Sequence, residues 1–293
     1  MKYLYVCNTS SDSISKVDLD TFTEADKILL KNDFKRVGPH GICICNNCIF
    51  TANNYTNGIS IVDINNKRNI ENYTIGMHCN DVRIFKDTAY VICGNSNILA
   101  AFNLKEKKIE TQIPCGSLPH SMHIDKIRNI MVIANMNDDS ITMVDCKDNK
   151  VIKNIRVGAY PTKAIFSPNG DYIYVCESNL GLNSKGSIAI ISLKNFQILN
   201  RVKVGNSPVD MFLDTKFCYV SNFGDGSVSI VDMANAKEIK VIRVGGMPRG
   251  IMRLKNYLYV GDNYNDLLMK INVASESKKV ISIGGEPTGM TLI

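Results

Sequence analysis

The stretch from Gly205 to Met233, GNSPVDMFLDTKFCYVSNFGDGSVSIVDM, decides the fold of this chain. A Gly-x-x-Pro turn at Gly205 to Pro208 opens a short strand over Val209 to Leu213, and a polar turn follows at Asp214 to Lys216. Phe217 to Ser221, rich in aromatic and β-branched residues, reads as a second strand. The Asn-Phe-Gly-Asp-Gly run at Asn222 to Gly226 supplies residues that tolerate positive φ and therefore turns the chain. Val228, Ile230 and Met233 carry an alternating third strand, and Glu238 to Val244 makes a fourth before the next Gly-x-x-Pro. Four short antiparallel strands make a sheet that cannot bury both its faces alone.

Versions of the unit recur from end to end. The second-strand tetrads begin at Tyr5, Phe50, Tyr90, Val132, Tyr174, Tyr219 and Tyr259, reading YVCN, FTAN, YVIC, VIAN, YVCE, YVSN and YVGD. Thirteen residues after the tetrad starts come Asp18, Asp63, Asn103, Asp145, Asp232 and Asn272; the fifth copy alone breaks the spacing, by five residues in the long turn from Glu177 to Ser187. The period is about 42 residues, which matches a four-stranded blade rather than a helical pair. An all-β, seven-bladed β-propeller of four-stranded antiparallel blades is predicted.

The tetrads, above all Tyr219-Val220-Ser221-Asn222, the Gly226 to Asp232 run GSVSIVD and the Val244 to Pro248 turn resemble the YVTN-repeat β-propeller family over essentially the whole chain. Cys93, Glu177 and Asp262 stand where the tetrad's Asn would be. Some propellers of this kind are lactonases or streptogramin-type lyases that use channel-mouth histidines and carboxylates. The resemblance therefore implies a hydrolase or lyase as one reading, while the fold by itself hosts enzymes, binders and scaffolds alike.

The repeats are out of phase with the ends of the chain. Tyr3 to Val6, Ser13 to Val17 and Asp26 to Leu30 are second, third and fourth strands without a first, and Gly284 to Ile293 is a first strand with nothing after it. The C-terminal strand is expected to complete the N-terminal blade, residues 1–37 joining 285–293, so that closure removes two open edges. A single domain over 1–293 is expected, with full blades at about 38–76, 77–116, 117–158, 159–205, 206–245 and 246–284. In the second full blade Cys79 replaces the proline.

The net charge of +6 is modest, and the lysines fall mainly in third- and fourth-strand positions such as Lys105, Lys107, Lys240 and Lys279. No basic stretch is interleaved with aromatics, so no nucleic-acid partner is expected. No apolar run reaches the roughly 18 residues that span a bilayer, and the N-terminus carries no export signal, so the expectation is a cytoplasmic monomer without a membrane partner. Of the ten cysteines, Cys7, Cys176 and Cys218 occupy positions for small buried hydrophobes, and reduced thiols are the default. Cys43-Ile-Cys45-Asn-Asn-Cys48 has ligand-like spacing, but no second pair follows at zinc-site distance, and strand packing is the better reading.

Chemistry is expected where the repeats differ while the frame stays constant. Directly after the proline position stand His40, Asn80, His120, Thr162, Val209, Arg249 and Thr288; one residue further come Gly41, Asp81, Ser121, Lys163, Asp210, Gly250 and Gly289. These positions are expected around the mouth of the central channel. His40, Asp81, His120, Lys163, Asp210 and Arg249 would suit an anionic or zwitterionic ligand, with Tyr55, Phe223 and Tyr264 as an aromatic rim. The bland alternative is that channel mouths collect polar residues simply to stay solvated. If the chain is an enzyme, His40, His120, Asp81 and Arg249 are the catalytic candidates. No cofactor is expected; a divalent metal on His40, His120 and Asp81 would have acceptable ligand types, although the histidines come from different blades. No Gly-x-Ser-x-Gly elbow, phosphate loop or His-Glu-x-x-His is present. The favoured expectation is a non-catalytic scaffold that presents the channel mouth to a small ligand or a protein.

Overall fold

The computed structural model describes residues 2–30, 35–67, 70–182 and 184–293. Residues 31–34, within the predicted closing blade, and Asn183, within the predicted long turn, lie outside the described residues. The chain is a seven-bladed β-propeller of four-stranded antiparallel sheets. Among the described residues the sole helical turn is the 3-10 segment Gly94–Ser96.

Each predicted tetrad lies in a second strand: Tyr3–Asn8, Cys48–Asn53, Thr88–Cys93, Ile130–Asn135, Tyr172–Glu177, Phe217–Asn222 and Tyr257–Asp262. In these strands the residues on both faces are buried, as expected of sheets covered on either side, whereas fourth strands such as Lys237–Arg243 alternate between exposed and half-buried. The predicted closure is present, with Pro287–Leu292 pairing antiparallel to Tyr3–Asn8.

Contacts group the chain into two compact units, Met1–Gln112 with Met252–Ile293, and Ile113–Ile251. The first holds the closing blade and the cores built on Tyr5, Ile14 and Ile49 and on Phe50, Val82 and Val91. The second holds three blades whose cores centre on Val132, Ile141 and Val175 and on Tyr174, Ile188 and Val220.

The tetrad asparagine has a structural explanation. Asn222 Nδ2 donates to Ser227 Oγ at 3.0 Å and Ser229 Oγ at 2.8 Å, tying the second strand to the third beneath their turn. Asn8 does the same with Ser13 and Ser15, Asn135 with Ser140 and Thr142, and Asn53 with Ser60. Burying an amide costs free energy unless it is hydrogen-bonded, and the small hydroxyl residues supply the acceptors. At Glu177 a carboxylate takes this place: it accepts from Ser187 Oγ at 2.6 Å, from the Gly158 N–H at 2.7 Å and from Arg201 Nε at 3.0 Å. Glu177 is buried, so the guanidinium is what makes the exchange of amide for charge tolerable.

Six of the turns that enter first strands carry a residue of positive φ just before the proline position, Gly38, His78, Leu118, Tyr160, Ser207 and Glu286, while before Pro248 the positive φ falls at Gly245 and Gly246. A carboxylate or amide from the preceding blade holds several of these backbone N–H groups, Asp12 for Gly38, Asn57 for His78, Asp139 for Tyr160 and Asp266 for Glu286. The sequence reading did not find these ties, because donor and acceptor lie about twenty residues apart with no local signature.

Candidate functional site

The residues that follow the proline position lie on first strands, and the side chains of His40, His120, Thr162 and Thr288 reach the backbone of an adjoining first strand. In the unit Ile113–Ile251, His120 Nδ1 stands 2.9 Å from the Thr162 carbonyl oxygen, and Thr162 Oγ1 donates to the Pro208 carbonyl at 3.0 Å. In the other unit, His40 Nδ1 stands 2.8 Å from the Asn80 carbonyl oxygen, and Thr288 Oγ1 donates to the His40 carbonyl at 3.2 Å. A carbonyl oxygen accepts only, so both rings carry a proton on Nδ1. The imidazoles therefore serve first as links between neighbouring blades.

The next position packs more tightly. A Cβ on Gly41 would stand 2.6 Å from the Asn80 carbonyl oxygen, and one on Gly289 would stand 2.4 Å from the His40 carbonyl oxygen, so only glycine admits these backbone approaches. Asp81 is buried and turned to its own strand, accepting from the Val82 N–H at 2.9 Å and pairing with Arg83 Nη1 at 2.8 Å. Arg83, missed by the sequence reading, also donates to the Ile42 carbonyl at 3.0 Å; its place two residues beyond Asp81, on the same strand face, is the signal that would have found it.

The unit Ile113–Ile251 concentrates charge. Lys163 Nζ and Asp210 Oδ1 form an ion pair at 3.0 Å, both side chains about one-fifth exposed. Asp210 also receives the Met211 N–H at 2.9 Å, and the Arg249 carbonyl accepts from Ser221 Oγ at 2.5 Å. His120 feels these groups. Desolvation, then the Arg249 cation, and further the Lys163 ammonium pull its pKa down to about 4, against the Thr162 carbonyl and the Asp210 carboxylate, which raise it. At neutral pH the ring is uncharged, with the Lys163–Asp210 ion pair and the Arg249 cation acting on it. Ser121, at the position equivalent to Lys163 and Asp210, is buried, and its hydroxyl hydrogen-bonds to no protein group among the described residues.

Residues 78–259, more than half of the chain, match the YNCE-like beta-propeller family. The chain belongs to this family. A search of the curated proteins returns no match. In three dimensions the chain is similar to a functionally unknown protein from Desulfotomaculum acetoxidans, at 14% identity and a TM-score of 0.81, covering 99% of this chain and 98% of that one. It is also similar to Kuenenia stuttgartiensis hydrazine synthase, at 17% identity and a TM-score of 0.73 over 83% of this chain and 78% of the other. Citrobacter koseri AztD follows at 13% identity and a TM-score of 0.63, covering 100% of this chain and 97% of that one. At these identities the likeness shows the fold alone.

The predicted aromatic positions differ in exposure. Tyr264 is 72% exposed and Tyr55 49%, while Phe223 is half-buried. Tyr55 lies over Gly38, where a Cβ would stand 2.5 Å from its ring, and the Arg36 guanidinium is 5.2 Å from the ring centroid. Cys43, Cys45 and Cys48 pack against the core around Val82 and Val91, in keeping with the strand-packing reading. Among the described residues no group of three or more His, Cys, Asp or Glu is placed to hold a metal ion. A cavity of about 120 Å³, lined by Leu30, Lys35, Val37, Ile59, Asn72 and Tyr73 among others, includes none of the predicted site residues. No helix among the described residues is long and apolar enough to cross a membrane.

Proposed function

We propose that this protein is a non-catalytic binding module whose first-strand residues His120, Lys163, Asp210 and Arg249 hold a small anionic or zwitterionic ligand. The observation that carries this reading is the gathering of the four: a neutral imidazole under the influence of the Lys163–Asp210 ion pair, at 3.0 Å, and of the Arg249 cation. The buried Ser121 hydroxyl adds a hydrogen-bonding group at the same level of the first strands. His40 and Asp81 contribute less in this reading, since they are not among the charged groups that act on His120. The exposed Tyr55 and Tyr264 are read as contacts for a larger ligand or a protein partner.

A hydrolase or lyase is the second reading, and His120 is where it would act. A general base works best with a pKa near the operating pH, and a ring held at about 4 is a weak proton acceptor at neutrality. That argues for binding over turnover. The repeats are read as the YVTN type on the tetrads and the Val-Gly-x-x-Pro turns, and the ten free cysteines support a reducing, cytoplasmic setting. The protein is proposed to act as a monomer, without nucleic acid or membrane as partner.

Titration calorimetry with inorganic phosphate and a panel of small carboxylates tests the reading. The expected result is saturable binding of at least one anion, weakened about tenfold or more in Lys163→Ala and in Arg249→Ala while the folded melt is retained. Absence of binding across the panel at millimolar concentration, or equal affinity in both variants, would overturn it.

A further inference from the structure

The second full blade has cysteine both at the entering proline position and at the tetrad asparagine position. Where other repeats pair the entering proline with the tetrad residue across the first two strands, as in Pro39 with Asn53, Pro119 with Asn135 and Pro208 with Asn222, this blade pairs Cys79 with Cys93. The third-strand residues five and seven beyond the tetrad position, hydroxyls in the blades of Asn8, Asn135 and Asn222, are here Ile98 and Ala100. The polar latch has been removed as a set and a pair of sulfurs put in its place. Cys79 Sγ lies 3.3 Å from Cys93 Sγ, both residues fully buried.

The backbone geometry suits a covalent bond. The Gly94 N–H donates to the His78 carbonyl at 2.8 Å, which makes Cys79 and Cys93 the adjacent non-hydrogen-bonded pair of the ladder, the closer of the two kinds. Such a pair has a Cα separation of roughly 4.5 Å, inside the range that disulfides span. The thiols therefore need only side-chain rotation to meet.

We propose that Cys79 and Cys93 are a reversible dithiol that hydroperoxides oxidise to an intrablade disulfide. One sulfur attacks the peroxide O–O bond, which breaks as the thiol proton passes to the departing oxygen, giving a sulfenic acid and water. The second sulfur then attacks the sulfenic sulfur; the S–S bond forms, the S–O bond breaks, and the hydroxide leaves as a second water. Two thiols and one hydrogen peroxide thus become one disulfide and two waters. A small, neutral oxidant suits a pair that lies beneath the surface, and cytosolic disulfides of this kind are commonly transient and redox-sensing. The bond also falls beside Asn80, whose carbonyl holds His40.

The test is peptide mapping of wild-type protein purified under reducing conditions, exposed to graded hydrogen peroxide, then denatured in an alkylating agent. The expected product joins the Cys79 and Cys93 peptides with loss of two hydrogens, reverts with dithiothreitol, and is absent in Cys93→Ser. The proposal is overturned if both cysteines are alkylated at doses that oxidise the other eight, or if Cys79 joins other cysteines as readily as Cys93. The wild-type map decides alone, so failure of the variant to fold would not shield the proposal.

Discussion

His120 donates its Nδ1–H to the main-chain carbonyl of Thr162 at 2.9 Å, so one imidazole links two successive blades and has its tautomer chosen by the link. Its folded pKa of about 4 lies below the ordinary histidine value, so the folded chain binds this proton less readily than the unfolded chain does. The stability it contributes is whole above about pH 6.5 and is lost as pH falls through 4. The expected loss is about 3 kcal/mol across that window. Denaturant melts of wild type and His120→Gln at several pH values check this: the difference between them should narrow on acidification, and a difference that does not change with pH would refute it.

Asp210 neutralises part of the cationic group through Lys163 at 3.0 Å. Asp210→Asn should therefore tighten binding of a small anion by about threefold to tenfold, while Lys163→Ala weakens it. Opposite signs for the two partners of one ion pair are the signature of charge recognition. If both variants weaken binding equally, the pair acts only by holding the strands in place.

Glu177 gathers Ser187, the Gly158 N–H and Arg201 in a buried setting. Glu177→Ala leaves those donors without an acceptor and should cost about 2 to 4 kcal/mol, whereas Glu177→Gln, which keeps an oxygen in place, should cost less. Equilibrium denaturation compares them directly; equal costs would show that the volume of the side chain, not its acceptors, matters.

Glu286 is exposed and holds a φ of +53°, a conformation that asparagine adopts more readily than glutamate. Its backbone N–H is held by Asp266 at 2.8 Å and does not depend on the glutamate side chain. Glu286→Asn should raise stability by about 0.5 to 1 kcal/mol, read as an upward shift in melting temperature. A lower melting temperature would point to a contact of the glutamate that matters.

The architecture was legible because the repeat is a chain-long signal. Tyr5 to Tyr259 mark seven second strands in phase, and the orphan first strand at Pro287–Leu292 announces its own partner, Tyr3–Asn8. The candidate positions were legible only as positions. That Asp81 turns to Arg83, and that His40 and His120 reach carbonyls at Asn80 and Thr162, depends on how adjoining first strands stack, about forty residues apart in the chain. The Cys79 and Cys93 departures were each visible, but their pairing emerges only from strand register.

Native mass spectrometry of the protein purified without chelator tests the binding claim most directly. The account predicts a small-molecule adduct on the wild-type chain that is lost in both Lys163→Ala and Arg249→Ala. A bare wild-type chain, or an adduct retained equally by both variants, would contradict it.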